Sequence, residues 1–156
     1  MFLNGHPPRR SSEFVARKVT RTAAAIKLGL ADELRLGDLE ATRDWSFAGD
    51  VVEAMWLMLQ QETGDGYVIR SGVSCTVWDL VRTAFQCVDL DYESYLTVDP
   101  EFVRPPDPVP LQGDPTRARK ALRCKPRTSF DEIIRLMLEA DLRELSNEDA
   151  RVGAGR

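Results

Sequence analysis

Between Arg9 and Lys27 the chain places six cations, Arg9, Arg10, Arg17, Lys18, Arg21 and Lys27, against one acid, Glu13. Groups of this kind suit a phosphate-bearing or other polyanionic ligand, since arginine supplies permanently charged donors in bidentate form. The whole chain of 156 residues is nevertheless acidic, with 21 Lys and Arg against 25 Asp and Glu and a net charge of −4. By difference about −9 lies outside the basic stretch, so the positive charge is segregated. Net acidity argues against nucleic acid as the partner.

Other chemistries are poorly supplied. His6 is the sole histidine, which leaves no material for a multi-histidine metal site and a poor position for a Ser/His/Asp triad. Neither G-x-G-x-x-G nor G-x-x-x-x-G-K-[ST] occurs, so the chain brings no glycine-rich phosphate cradle of its own. Cys75, Cys87 and Cys124 are odd in number, widely spaced and without a C-x-x-C, and read as reduced structural thiols. No catalytic residue and no metal ligand is assigned. No apolar run is long enough to span a bilayer and the first residues are too short for a signal peptide, so the expected location is cytoplasmic and away from membranes.

The elements that must position the cations follow from periodicity. Ser11 or Ser12 as cap, Glu13 in the first turn and an apolar stripe from Phe14 to Leu30 predict a first helix that stops at Gly29. Arg17, Lys18 and Arg21 fall on its polar face. A short strand is expected at Leu34–Leu36, then a second helix over Gly49–Gln61, apolar around most of its circumference and therefore buried between layers. Asp50 reads as an acid at that helix start. Trp45, Trp56 and Trp78 are expected to pack in the core, and Arg43 and Asp44 could form a local ion pair.

Tyr67–Ile69 and Tyr95–Val98 are β-type runs, and Thr76 with Asp79 offers a capping box for a third helix through about Cys87. Six prolines between Pro100 and Pro115 demand a loop. A short basic helix is expected near Thr116–Leu122, followed by a Ser129-x-x-Glu132 box opening a last amphipathic helix through about Leu145. The length and composition fit one ordinary globular domain, with 146–156 as a frayed polar tail.

Four blocks in order carry a resemblance. They are N-x-x-x-P-R-R-x-x-x-F-V-x-R-K-V-T-R (Asn4 to Arg21) and R-D-W-x-x-A-x-D-x-V-E-A-M-W-L-M-L-Q (Arg43 to Gln60). The others are R-P-x-x-x-x-x-L-x-G-D (Arg104 to Asp114) and S-F-x-E-x-x-R-L-M-x-E-A-D (Ser129 to Asp141). Together they resemble the C-terminal half of the GDP-mannose 4,6-dehydratases, members of the extended short-chain dehydrogenase/reductases. The resemblance implies, over residues 1–145, the α/β substrate-binding portion of that fold, helices with a few short strands, without the Rossmann half that holds the cofactor loop and the Tyr-x-x-x-Lys pair.

It also implies a reaction: oxidation of the hexose at C4 by NADP, loss of water across C5 and C6, and return of the hydride to C6. By the same resemblance Asn4 contacts the sugar-nucleotide and Arg10 the cofactor, while Lys18, Arg43 and Arg104 hold the GDP portion of GDP-mannose. The chain departs from the family at Gly5 and His6, at Asp107-Pro108-Val109, at Phe47, and at Arg123-Cys124 in place of a usual Gly-Trp. The expectation is a half-enzyme, inactive alone, that is completed by a separate Rossmann polypeptide, the complete family enzyme being a homo-oligomer. Its rivals are a non-catalytic interaction or regulatory module, and part of another nucleotide-sugar epimerase or reductase.

Overall fold

A computed structural model describes residues 5–6, 14–102 and 114–154. Of the expected site residues, Lys18 and Arg43 are therefore described, whereas Asn4, Arg10 and Arg104 lie outside the described residues, as do Ser11, Ser12 and Glu13.

Helix α1 spans Val15–Lys27 and takes Phe14 as its N-cap with no side-chain cap bond, so the expected serine cap is not what starts it. Its end follows the expectation. Gly29 adopts φ 71°, donating from its N–H to the Ile26 carbonyl, while the Leu30 N–H reaches the Ala25 carbonyl; this pair of bonds is a Schellman stop that favours glycine. Ala16, Ala23 and Ala24 are fully buried, and these small side chains let α1 lie close against its neighbours.

Those neighbours are α3 (Val77–Gln86) and α5 (Phe130–Ala154), which complete the larger core through Leu80, Phe85, Ile133, Ile134 and Met137. The Thr76–Asp79 capping box is formed in both directions, the Asp79 N–H reaching Thr76 Oγ1 and the Thr76 N–H reaching Asp79 Oδ2, each at 3.0 Å. At the start of α5 the Glu132 N–H donates to Ser129 Oγ at 3.2 Å. That helix does not end near Leu145. It continues to Ala154, and Glu148 in the extension pairs with Arg21.

Three two-stranded pairs surround this layer. Strand β1 (Gly5–His6) runs parallel to β4 (Ser46–Phe47), β2 (Leu34–Leu36) parallel to β6 (Leu96–Val98), and β3 (Thr42–Asp44) antiparallel to β5 (Ser74–Thr76). The expected strand at Leu34–Leu36 and the β-type run ending at Val98 are both present. The β-type run Tyr67–Ile69 forms no strand among the described residues.

A second, smaller cluster joins α2 (Ala48–Leu59) to Tyr67 and Ile69 and to α4 (Thr116–Leu122), through Val51, Ala54, Ala118 and Leu122. The burial expected for α2 is not observed. Val52 is 63% and Leu59 81% exposed, with Met55 and Trp56 between them, so the i, i+3, i+4, i+7 face is bare. An all-round apolar helix needs cover on both sides, and the described residues cover one. Trp45 is buried, donating from Nε1 to the Cys75 carbonyl at 3.0 Å, but Trp56 and Trp78 are exposed, the latter with its ring edge-on to Tyr92 at 5.3 Å. After α4, Arg123 takes φ 50°, a left-handed helix-end position that glycine occupies without strain.

Candidate functional site: a basic helix and its lysine

The polar face of α1 is not a cluster of free cations. Arg17 is 5% exposed, its Nε lying 2.7 Å from Asp141 Oδ1 and its Nη2 2.5 Å from Glu144 Oε2. Asp141 is wholly buried and receives Thr20 Oγ1 on its other oxygen at 2.7 Å. Arg21 reaches Glu144 at 3.4 Å and Glu148 at 3.0 Å, and Lys27 donates to the Val88 carbonyl at 2.7 Å, closing the end of α3. Three of the four described cations of α1 thus serve its packing against α3 and α5.

Lys18 is the exception. Among the described residues it has neither a carboxylate nor a carbonyl partner, and its Nζ sits 4.9 Å from the centroid of the Phe102 ring. The position expected to bind diphosphate is the one the packing leaves with its charge and its three N–H donors available.

Asp141 shows why the arginines are held. Nε of Arg17 approaches Oδ1 closely but off the line of a hydrogen bond, and that oxygen has no hydrogen-bond donor among the described residues. Burial dominates and pushes the Asp141 carboxyl up to about 6, against the Thr20 hydroxyl and the charges of Arg17 and Arg21. Sequence reading missed this partner. The signal was available: Asp141 falls seven residues after Ile134 and three after Leu138, on the apolar stripe of α5, where an acid requires a buried donor.

Arg43 occupies the exposed side of β3 opposite Cys75, and its Nη1 donates to the Thr42 carbonyl at 2.8 Å. It is carried on a different element from Lys18. The next residue, Asp44, turns inward and is not its ion-pair partner by any bond described. Asp44 Oδ1 receives Ser46 Oγ at 2.7 Å, Ser71 N at 3.1 Å and Ser71 Oγ at 2.9 Å, and Oδ2 receives Gly72 N at 2.8 Å. Gly72 adopts φ 77°, and a Cβ there would stand 2.7 Å from Arg119 Nη2, which itself donates to the Ser71 carbonyl at 2.6 Å. The Arg-Asp-Trp triplet therefore divides its labour: Arg43 faces outward, Asp44 ties β3 and β4 to the 71–72 turn, and Trp45 anchors the core.

Asp50 is a helix-start acid as expected, but its carboxylate also receives the Arg127 and Thr128 backbone N–H groups at 3.1 Å each, while the Arg127 side chain reaches Glu53 at 2.7 Å. This fixes the 124–128 loop over α2. A cleft between α2, α4 and that loop is lined by Phe47, Ile69, Arg70, Arg119 and Lys125. Burial, then Asp79, Asp131 and Asp44, push the Cys75 thiol up, so it stays protonated and unreactive at neutral pH.

The described helix starts offer no seat for a dinucleotide. The N-caps of α1, α2 and α3 are Phe14, Phe47 and Thr76, and none of these helices is entered through a glycine-rich turn. The described residues do not fit a nicotinamide cofactor, and no step is derived through one. No described helix is long and apolar enough to cross a membrane.

Comparison with known proteins meets this geometry. The family model described as GDP-mannose 4,6 dehydratase matches residues 1–137. "GDP-mannose 4,6 dehydratase 2" of Arabidopsis thaliana is 41% identical over 155 residues, which is 99% of this chain and 42% of the relative; the Homo sapiens GDP-mannose 4,6 dehydratase is 38% identical over 91% of this chain and 43% of its own length. The chain thus spans less than half the length of these relatives.

Among solved structures, RMD from Pseudomonas aeruginosa complexed with NADPH superposes with a TM-score of 0.78 at 23% identity, covering 90% of this chain and 46% of that one. The dTDP-glucose 4,6-dehydratase of Bacillus anthracis in complex with NAD follows at 0.70 and 16%, covering 92% and 43%. At such identities these likenesses establish the fold alone, an α/β arrangement shared with part of each of these enzymes. With the family model matched over most of the chain, the conclusion is plain: this chain belongs to the GDP-mannose 4,6-dehydratase family.

Proposed function

We propose that this chain supplies the nucleotide-sugar site of a GDP-mannose 4,6-dehydratase, with Lys18 and Arg43 directed at the diphosphate of GDP-mannose. The observation that carries the reading is the contrast along α1: Arg17, Arg21 and Lys27 are engaged in packing, whereas the lysine that the family resemblance assigns to GDP meets no acid or carbonyl among the described residues. An ammonium donating to a phosphate oxygen is worth about 1.5–3 kcal/mol. Asn4, Arg10 and Arg104 belong to the same proposal through the resemblance alone.

Titration calorimetry of the purified chain tests it. GDP-mannose is expected to bind more tightly than UDP-glucose or dTDP-glucose, and K18A to weaken GDP-mannose between about tenfold and a hundredfold. Equal affinity for the three nucleotides would point to a different enzyme of the same fold.

The dehydration and hydride steps belong in this proposal to the complete fold, in which a Rossmann portion carries NADP, on the same polypeptide or another. Its expected landing place is the bare face of α2, an apolar helical stripe of the kind that an adjoining layer would cover. Replacing Val52 and Leu59 together by serine should leave the unfolding midpoint of this chain unchanged and abolish recovery of dehydratase activity on mixing with such a Rossmann portion. Full complementation by that variant would rule out the α2 face.

A further inference from the structure

Given that Lys18 meets a diphosphate, we propose that Phe102 is a positioning residue for it, holding the ammonium by a cation–π contact without neutralising it. The Phe102 ring is 52% exposed, so core burial does not account for its placement, yet its backbone is well tied. The Asp99 N–H extends the β2–β6 pairing by donating to the Leu36 carbonyl at 2.8 Å, the Phe102 N–H donates to the Asp99 carbonyl at 3.1 Å, and the Glu101 N–H donates to Asp99 Oδ1 at 3.0 Å. These bonds build a 3-10 turn, Pro100–Phe102, at the end of β6. The turn sets the ring 4.9 Å from Lys18 Nζ.

The contrast along α1 gives the contact its meaning. A carboxylate fixes Arg17 and Arg21 and cancels their charge; a ring face fixes a cation through its quadrupole and leaves the charge and the N–H donors for an anion. A long flexible stem held in advance also loses less freedom when the anion arrives. Phe102 therefore acts on the diphosphate only through Lys18.

The test compares F102L, F102Y, K18A and K18A/F102L in the full chain, by GDP titration, denaturant unfolding and NMR of the Lys18 ε-methylene protons. The wild-type protons are expected to carry an upfield ring-current shift that F102L removes and F102Y keeps. F102L should weaken GDP by about twofold to fivefold, the span expected of an exposed cation–π pair, with its unfolding midpoint unchanged, while F102Y retains wild-type affinity. On the K18A background F102L should do nothing further. Wild-type affinity in F102L, or an equal loss with and without Lys18, would overturn the positioning role alone. An unaltered affinity in K18A would instead overturn the diphosphate reading on which it rests.

Discussion

Arg17→Met is expected to lower the unfolding free energy near pH 7 by about 3–5 kcal/mol, the usual cost of leaving one member of a buried ion pair behind. Asp141 is wholly buried, and among the described residues Thr20 alone donates a hydrogen bond to it. The double replacement R17M/D141L removes both charges and should recover most of the loss, because the α1–α5 seam is otherwise apolar. Urea unfolding of the wild type, the single variant and the double variant checks this. A double variant no better than R17M would show that the pair contributes by shape and not by charge.

The same pair gives a pH dependence with a definite sign. Burial raises the Asp141 carboxyl to about 6, above its unfolded value of about 3.9. The folded chain therefore retains between those values a proton that the unfolded chain has released. Its contribution is fully present below about pH 4 and is lost as pH rises through about 6. D141N does not titrate, so its stability relative to wild type should climb by up to about 3 kcal/mol between pH 4 and pH 7. A pH-independent difference would mean that Arg17 holds the carboxylate ionised throughout.

Asp44→Ala is expected to be comparably damaging, at about 3–5 kcal/mol. The variant removes the acceptor of the Gly72 backbone N–H and of the Ser46 hydroxyl, and each donor left unsatisfied costs roughly 1–3 kcal/mol, while the Ser71 N–H and hydroxyl fall back on Ser46 Oγ and the Val73 carbonyl. Asp44→Asn keeps one acceptor and should fall about halfway. Because the network fixes the strand that carries Arg43, D44N should also weaken GDP binding in a chain that remains folded. Unfolding measured beside GDP titration separates the two effects, and an unchanged midpoint in D44A would refute the network's structural role.

Much of this was legible in the sequence because it is local. The Thr76–Asp79 box, the Gly29 stop, the α4 helix and the Leu34–Leu36 strand depend on residues a few positions apart, and each is present. What was not legible depends on distant partners. Spacing along α1 shows three cations on one face, but only the fold reveals that residues 141, 144 and 148 consume two of them. Likewise the apolar composition of α2 reads as burial, yet burial requires a second layer, and the described residues provide cover on one side. The resemblance assigns Lys18 and Arg43 to the ligand; the packing shows why the neighbours of Lys18 are unsuited to that task.

The most direct measurement of the central claim sets K18A beside R21A in one experiment, recording GDP-mannose affinity and unfolding midpoint for each. Among the described residues Lys18 touches no acid and Arg21 bridges two, so the account predicts a loss of affinity between about tenfold and a hundredfold with an unchanged midpoint for K18A. For R21A it predicts a lowered midpoint with affinity retained. Unchanged GDP-mannose binding in K18A, or an affinity loss as large in R21A, would contradict it.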